Sequence, residues 1–236
     1  MIISGLQKMT LLDYPGKVAC TVFLQGCNFR CPFCHNSDLL GNDGPEPISE
    51  ETLFKFLQKR VGLLDAVCVT GGEPTLQKDL KELLTKIKAL GYLVKLDTNG
   101  NRPEVLKDLV EAGLVDYVAM DIKNSPARYG ETAGVPNMTL VHVEESIRYL
   151  LSGKVDFEFR TTVADELHEP QDFEDIGAWL NALDATSKAP KFFIQPYVDR
   201  DSVLMGGLHT PAAEKLQEMK ERIAPYVLCA TLRGTD

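Results

Sequence analysis

The chain has 236 residues, 44% of them hydrophobic, and a net charge of −9 at pH 7. That length and apolar share suffice for one α/β domain with its own core. The acidic balance argues against a phosphate-tracking nucleic-acid binder, and no apolar run approaches the roughly 18 residues of a membrane-spanning helix. Neither nucleic acid nor a membrane is therefore expected as a partner. The first five residues show no charged segment leading into an apolar one, so no leader is expected and the location is read as cytoplasmic. Six cysteines in a chain with a core of its own point to a reducing compartment and a metal rather than to disulfides.

Residues 1–16 are turn-rich and read as a small lead-in hairpin. Residues 17–24 read as the first core strand, with Val18, Val22, Phe23 and Leu24 as strand formers. The run Gly26-Cys27-Asn28-Phe29-Arg30-Cys31-Pro32-Phe33-Cys34-His35-Asn36 follows, with three thiols inside eight residues. A compact loop can aim all three at one centre. Thiolates are soft donors that select zinc, copper(I) or iron–sulfur clusters. A structural zinc site closes with four protein ligands. The fourth would have to be His35, which stands beside Cys34 and is poorly placed to reach round the same ion. Three thiolates fit a cubane 4Fe–4S cluster with one iron left open.

Residues 37–48 read as a loop from their Gly, Asp and Pro content, and Ser49 caps a helix opening at Glu50. Regular alternation begins there. Strands are expected at 65–70, 93–98, 116–122, 155–161 and 191–195, with a short last one at 226–232. Helices are expected at 76–90, 103–112, 138–151, 170–183 and 210–223. Pro103 and Gly113 bracket the second of these, Gly153 closes the third, and Pro211 opens the last. Alternation implies a parallel sheet with right-handed crossovers. Six strand–helix units, starting at 17, 65, 93, 116, 155 and 191, fall short of the eight a closed barrel needs. The expected fold is α/β, an open partial (βα)6 TIM-like barrel; a doubly wound sheet is the alternative. No linker divides the chain. A single domain over 1–236 is expected, with 1–16 as lead-in and 17–232 as barrel.

In both architectures chemistry collects at the C-terminal ends of the strands. After the second core strand comes Thr70-Gly71-Gly72-Glu73-Pro74, where the glycines permit close backbone approach and Glu73 adds a carboxylate. After the third comes Asp97-Thr98-Asn99-Gly100, which also reads as a plain turn. After the fourth, Asp121 and Lys123 in Met120-Asp121-Ile122-Lys123 point to one side, as cofactor contacts or as an ion pair with no chemical task. Arg160 sits among apolar residues of the fifth, with a salt bridge to Glu158 or Asp97 as its other reading. Cys20, Cys68 and Cys229 read as small hydrophobes. His142, His168 and His209 read as surface or structural, and His35 as ordering its loop.

Cys27-x-x-x-Cys31-x-x-Cys34, with Phe33 before the last thiol, resembles the signature of the radical S-adenosylmethionine (SAM) enzymes. Asp13-Tyr14-Pro15-Gly16-Lys17 followed by Gln25 to Asn36 resembles the glycyl-radical-enzyme activases, and among these the activating proteins of anaerobic ribonucleoside-triphosphate reductases. The likeness covers most of the chain and is most specific in its first third. It implies a partial barrel and a 4Fe–4S cluster on Cys27, Cys31 and Cys34. It also implies SAM held by Gly71, Gly72 and Glu73 at its amino end and by Asp97, Thr98, Asp121, Lys123 and Arg160 elsewhere. A monovalent cation between Asp97 and Asp121 is a further implication. Asp13 is placed by it near the substrate glycine. The implied partners are a glycyl radical enzyme and an electron donor such as flavodoxin or ferredoxin. The segment Gln195-Pro196-Tyr197 matches that of the activases, but Val198 stands where some of them place a SAM-contacting His. Two other functions remain open: a radical SAM enzyme for a small molecule, such as a carboxy-deazaguanine synthase-like enzyme, and a zinc-binding interaction module without catalysis.

Overall fold

The computed structural model describes residues 1–41, 44, 46–184, 186–199 and 203–234. In chain order its elements are β1 (Ile3–Thr10), β2 (Ala19–Leu24), α1 (Glu50–Gln58), β3 (Ala66–Gly71), α2 (Leu80–Ala89), β4 (Leu93–Thr98), α3 (Pro103–Glu111), β5 (Tyr117–Asp121), α4 (Tyr129–Ala133), α5 (Val141–Leu151), β6 (Asp156–Val163), α6 (Pro170–Leu183), β7 (Phe192–Pro196), α7 (Ala213–Ile223) and β8 (Ala230–Leu232). The strands form one sheet in the order β1-β2-β3-β4-β5-β6-β7-β8, so β1 and β8 are its edges. A doubly wound sheet reverses its strand order at a switch point. No reversal occurs here, which leaves the open partial barrel. Among the described residues no helix is long and apolar enough to cross a membrane.

Contacts divide the chain into two compact units, residues 1–28, 36–98 and 104–119 in the first, and 29–35, 99–103 and 120–236 in the second. In the first, β2, β3 and β4 run parallel, with Thr21 opposite Cys68 and Cys68 opposite Lys95. Alternation sends Cys20, Val22, Val67, Val69, Val94 and Leu96 to the opposite face, where all are buried. That double burial is what a parallel sheet requires. Ser49 caps α1 as the sequence indicates, its hydroxyl accepting from the Thr52 amide at 3.1 Å. In the second unit β6, β7 and β8 run parallel.

Several elements depart from the expected ones. Residues 1–16 make no hairpin of their own: β1 instead pairs antiparallel with β2, because its partner edge is the first core strand. The helix expected at 76–90 is split into a 3₁₀ turn, Pro74–Leu76, and α2. Glu73 caps the turn and Gln77 ends it in an extended conformation. The helices expected from 138 and 210 start three residues later, and Pro211 lies ahead of α7 rather than in its first turn. The five-residue α4 was not expected from the sequence. The loop expected at 37–48 contains a 3₁₀ turn, Ser37–Leu39, and a bridge between Ile3 and Ile48, while 42, 43 and 45 lie outside the described residues.

Candidate functional site

In the first unit the end of β2 runs directly under the turn after β3. Gly72 N donates to Leu24 O at 2.8 Å and Glu73 N to Gly26 O at 2.7 Å. A Cβ on Gly71 would stand 2.2 Å from Leu24 O, and one on Gly72 would stand 2.0 Å from Gly26 O. No side chain fits at either position, so the two glycines fix how the cysteine loop leaves β2. Asn36 Nδ2 donates to Gly71 O at 3.1 Å, and Gly26 N to Leu39 O at 2.7 Å, which ties the return of the loop to the same turn.

Glu73 is 1% exposed. Its Oε1 accepts from Thr75 N (3.0 Å), Thr75 Oγ1 (2.5 Å) and Thr98 Oγ1 (2.8 Å). It therefore joins the turn after β3 to the end of β4. Asp97 accepts from Lys95, a cation only 2% exposed on the same face of β4. Asp13 Oδ2 accepts from Thr21 Oγ1 at 2.5 Å, and Thr10 Oγ1 accepts from the amides of Leu12 and Asp13. Tyr14 beside it packs on Tyr117, ring centroids 5.6 Å apart. The Asp13 segment is thus seated against the sheet by a carboxylate and a ring.

In the second unit the middle of the cysteine loop lies against the C-terminal end of α4. Arg30 N donates to Ala133 O at 2.9 Å, and Cys31 Sγ lies 3.8 Å from the same oxygen. Gly134 has φ +65, and a Cβ there would stand 2.0 Å from Arg30 O. Cys34 N closes a turn on Cys31 O at 3.0 Å, and Met205 N donates to Pro32 O at 3.1 Å. His35 stacks on Tyr197 and its Nε2 lies 2.8 Å from Val198 O. His35 thus orders the loop, on the carbonyl of the residue that departs from the activase pattern.

Lys123 Nζ donates to Asp121 Oδ2 at 2.9 Å, and Arg160 Nε to Asp121 Oδ1 at 2.5 Å. Burial pushes the Asp121 carboxyl up, but Arg160 and then Lys123 outweigh it and hold it well below the usual range. Burial likewise works against the Lys123 charge, and Asp121 reverses the sign. Glu158 forms a two-bond pair with Arg233 at 2.8 and 3.1 Å. His168 is fully buried against Phe33. Ala164 N donates to its Nδ1 at 3.2 Å, which leaves Nε2–H to donate to Lys123 O at 2.9 Å. Burial keeps it neutral. His168 is structural, and it holds the backbone of Lys123.

No disulfide joins any of the six cysteines, and Cys31 is buried while Cys27 and Cys34 are half-buried. Burial raises the Cys31 thiol, and Lys123 acts against that rise. Among the described residues no three or more His, Cys, Asp or Glu side chains are gathered to hold a metal ion. The donor set nevertheless fits a thiophilic centre: three thiols outside any disulfide stand on one loop whose ends are gripped at Gly71-Gly72 and whose middle is gripped at Gly134. Thr75, Lys95 and Ala133-Gly134 were missed in the sequence. The available signals were a Lys inside the apolar run Leu93-Val94-Lys95-Leu96 and an Ala-Gly pair ending a short helix.

The profile of the Radical SAM superfamily matches residues 21–179. A protein of Methanocaldococcus jannaschii, provisionally named a glycyl-radical enzyme activating enzyme, is 31% identical over 99% of this chain and 98% of its own. A 7-carboxy-7-deazaguanine synthase of Koribacter versatilis is 30% identical over 62% of each chain. The crystal structure of a domain of pyruvate-formate lyase-activating enzyme from Bacteroides vulgatus superposes with a TM-score of 0.57 at 19% identity, covering 72% of this chain and 99% of that one. This chain belongs to the radical SAM superfamily and is a homologue of its glycyl-radical enzyme activating members. It is an enzyme of the radical SAM type, and the family implies a 4Fe–4S cluster and SAM as cofactors.

Gly134→Ala should destabilise the fold twice over. The left-handed conformation costs about 1–2 kcal/mol for a residue with a Cβ, and the new methyl meets backbone rather than a movable side chain. Gly153→Ala, at φ +73 with nothing within 4 Å, carries the first cost alone. Thermal unfolding should show a fall of about 2–8 °C for Gly153→Ala and clearly more for Gly134→Ala. Equal shifts would mean that the contact with Arg30 does not constrain the loop.

Proposed function

We propose that this radical SAM protein is an activase that installs a glycyl radical on a partner enzyme, with one domain of residues 1–236 carrying the whole site. The observation that carries this is the grip of Gly71-Gly72 on the entry to the Cys27-x-x-x-Cys31-x-x-Cys34 loop, in a chain that aligns with an activase homologue over nearly all of both lengths. Cys27, Cys31 and Cys34 would hold the cluster. When bound, the cluster supplies the electron that cleaves SAM to methionine and a 5′-deoxyadenosyl radical, which takes a hydrogen atom from a glycine Cα.

The chain's own residues orient the cofactor and neutralise its charges. The ammonium of SAM needs acceptors, which the carbonyls after β3 and the Glu73 and Asp97 carboxylates supply, with Thr98 joining the set through Glu73. Its carboxylate needs cations. Lys123 and Arg160 both bond the Asp121 carboxylate, and these two cations are the proposed partners of the SAM carboxylate. Asp121 and Asp97 are also where a monovalent cation would sit. Each already has a protein cation on it, which supports Lys95, Lys123 and Arg160 as the neutralising charges. SAM cleavage should therefore proceed at the same rate in sodium, potassium or tetramethylammonium chloride. A dependence on one alkali ion would restore the cation.

The proposed partner is an anaerobic ribonucleoside-triphosphate reductase, met in the cytoplasm, with a flavodoxin or ferredoxin as electron donor. A second reading, a small-molecule enzyme of the 7-carboxy-7-deazaguanine synthase kind, is favoured by the shorter match to that enzyme. Reduced anaerobic protein incubated with SAM and the reductase should give a glycyl radical in the electron paramagnetic resonance spectrum. SAM consumption with a small-molecule substrate and no radical on the reductase would favour the second reading. Cys31→Ala should lose iron, sulfide and 5′-deoxyadenosine formation. Cys68→Ala should keep all three; the opposite pattern would overturn the ligand assignment.

Asp13 is proposed to meet the substrate glycine loop. An unpaired backbone amide in a dry site costs about 1–3 kcal/mol, and a carboxylate seated by Thr21 has a second oxygen for such a donor. Asp13→Ala should retain cluster and SAM cleavage but give several-fold less glycyl radical per 5′-deoxyadenosine released. A ratio equal to that of the unaltered protein would leave Asp13 with its turn and its bond to Thr21 only.

A further inference from the structure

The sheet of the first unit buries both faces, and such strands are ordinarily apolar throughout. Lys95 breaks that pattern at the middle of β4. Burying an ammonium without a partner costs several kcal/mol, so an apolar residue of the same size would be the simpler choice at this position. The surroundings show what the charge is matched to. Register places Thr21, Cys68 and Lys95 side by side on β2, β3 and β4. The row below, Ala19, Ala66 and Leu93, packs around Tyr14. In the row above, Asp97 follows Lys95 on the same face and accepts its hydrogen bond. Asp13 reaches the same row from the other side through Thr21 at 2.5 Å. Cys68, between Thr21 and Lys95, is within the electrostatic reach of Lys95, Asp97 and Asp13 alike. One ammonium therefore stands in a row approached by two carboxylates, and it bonds the one nearer the strand end.

We propose that Lys95 is a positioning residue: by holding Asp97 from the row beneath, it fixes one orientation of that carboxylate at the end of β4 for binding SAM. The proposal rests on the reading above that Asp97 faces the cofactor. A Lys retained for folding alone would stabilise the sheet without regard to what Asp97 does. A positioning Lys acts only through Asp97, so its removal should matter only while Asp97 is present.

The test is a double-mutant cycle on SAM affinity, measured by calorimetry on the anaerobic, cluster-loaded protein, with thermal unfolding recorded for each variant. Asp97→Asn and Lys95→Met should each weaken SAM binding roughly tenfold or more, the scale of a lost hydrogen bond to a charged group. Lys95→Met/Asp97→Asn should bind SAM within about twofold of Asp97→Asn alone. If Lys95→Met does not give folded protein, Lys95→Gln, which keeps a neutral donor in the row, takes its place in the cycle. Lys95→Met binding SAM as tightly as the unaltered protein, while Asp97→Asn binds it weakly, would overturn the positioning role and leave the Asp97 reading standing. Losses that multiply in the double variant would do the same. Asp97→Asn with unchanged SAM affinity would remove the Asp97 reading, and the role of Lys95 with it.

Discussion

The rest of this structure depends on backbone passing against backbone with no room for a Cβ. It happens at the two places where the cysteine loop is held. Under the turn after β3, Leu24 and Gly26 accept from the amides of Gly72 and Glu73. Beside α4, Arg30 O lies where a Gly134 Cβ would be. The residues between, 25–36, carry no helix or strand, so their peptide groups cannot be satisfied by regular ladders and must find partners elsewhere. They find them in the carbonyls and amides of neighbouring turns: Leu39, Glu73, Ala133 and Met205. Main-chain contacts, helped by the Asn36 and His35 side chains, hold the loop without tying its thiols into disulfides, as a soft metal centre requires.

Holding the loop this way shifts the demand onto the strand ends. Two glycines in succession after β3 cannot themselves carry acid–base or ionic contacts, so Glu73 at the next position does that work. Its Oε1 gathers Thr75 and Thr98 into one point, at 1% exposure, joining β3 to β4 where the proposed cofactor site begins. The same carboxylate caps the 3₁₀ turn at Pro74–Leu76, and α2 starts only at Leu80. Local helix geometry gives way to the strand-end arrangement, which is the usual place for local rules to be broken.

Strands were the most legible part of the sequence. Leu93–Thr98 and its neighbours stand within two residues of their expected bounds, because double burial writes largely apolar runs, which Lys95 interrupts without hiding. The cysteine loop and Gly71-Gly72 were legible from spacing, since few residue types can do what they do. What was not legible depends on contacts distant in sequence. The pairing of β1 with β2 needs knowledge of a free strand edge. The role of α4 lies in where its last turn touches a loop about a hundred residues earlier. Lys95 looks in sequence like a strand residue facing solvent, and only the register with Cys68 and Thr21 shows that it faces inward. His168, read as surface or structural from its loop setting, is structural but fully buried, because its two ring nitrogens match an amide and a carbonyl that no periodicity reveals.

Charge is placed in this interior in matched groups, and the matching says what each is for. A buried ion pair is weak evidence of stability, since its desolvation cost is comparable to its attraction. Asp97 with Lys95 and Glu158 with Arg233 are pairs of that kind. Asp121 differs, for it carries both Arg160 and Lys123. Those charges lower its folded-state pKa, so the stability it contributes is complete above the unfolded carboxyl value of roughly 3.9 and is lost only as pH falls further, through the lowered folded value. Across the neutral range Asp121 is a fixed anion held by both cations. Under the proposed function, the zwitterionic amino acid end of SAM would bring its own carboxylate toward Lys123 and Arg160.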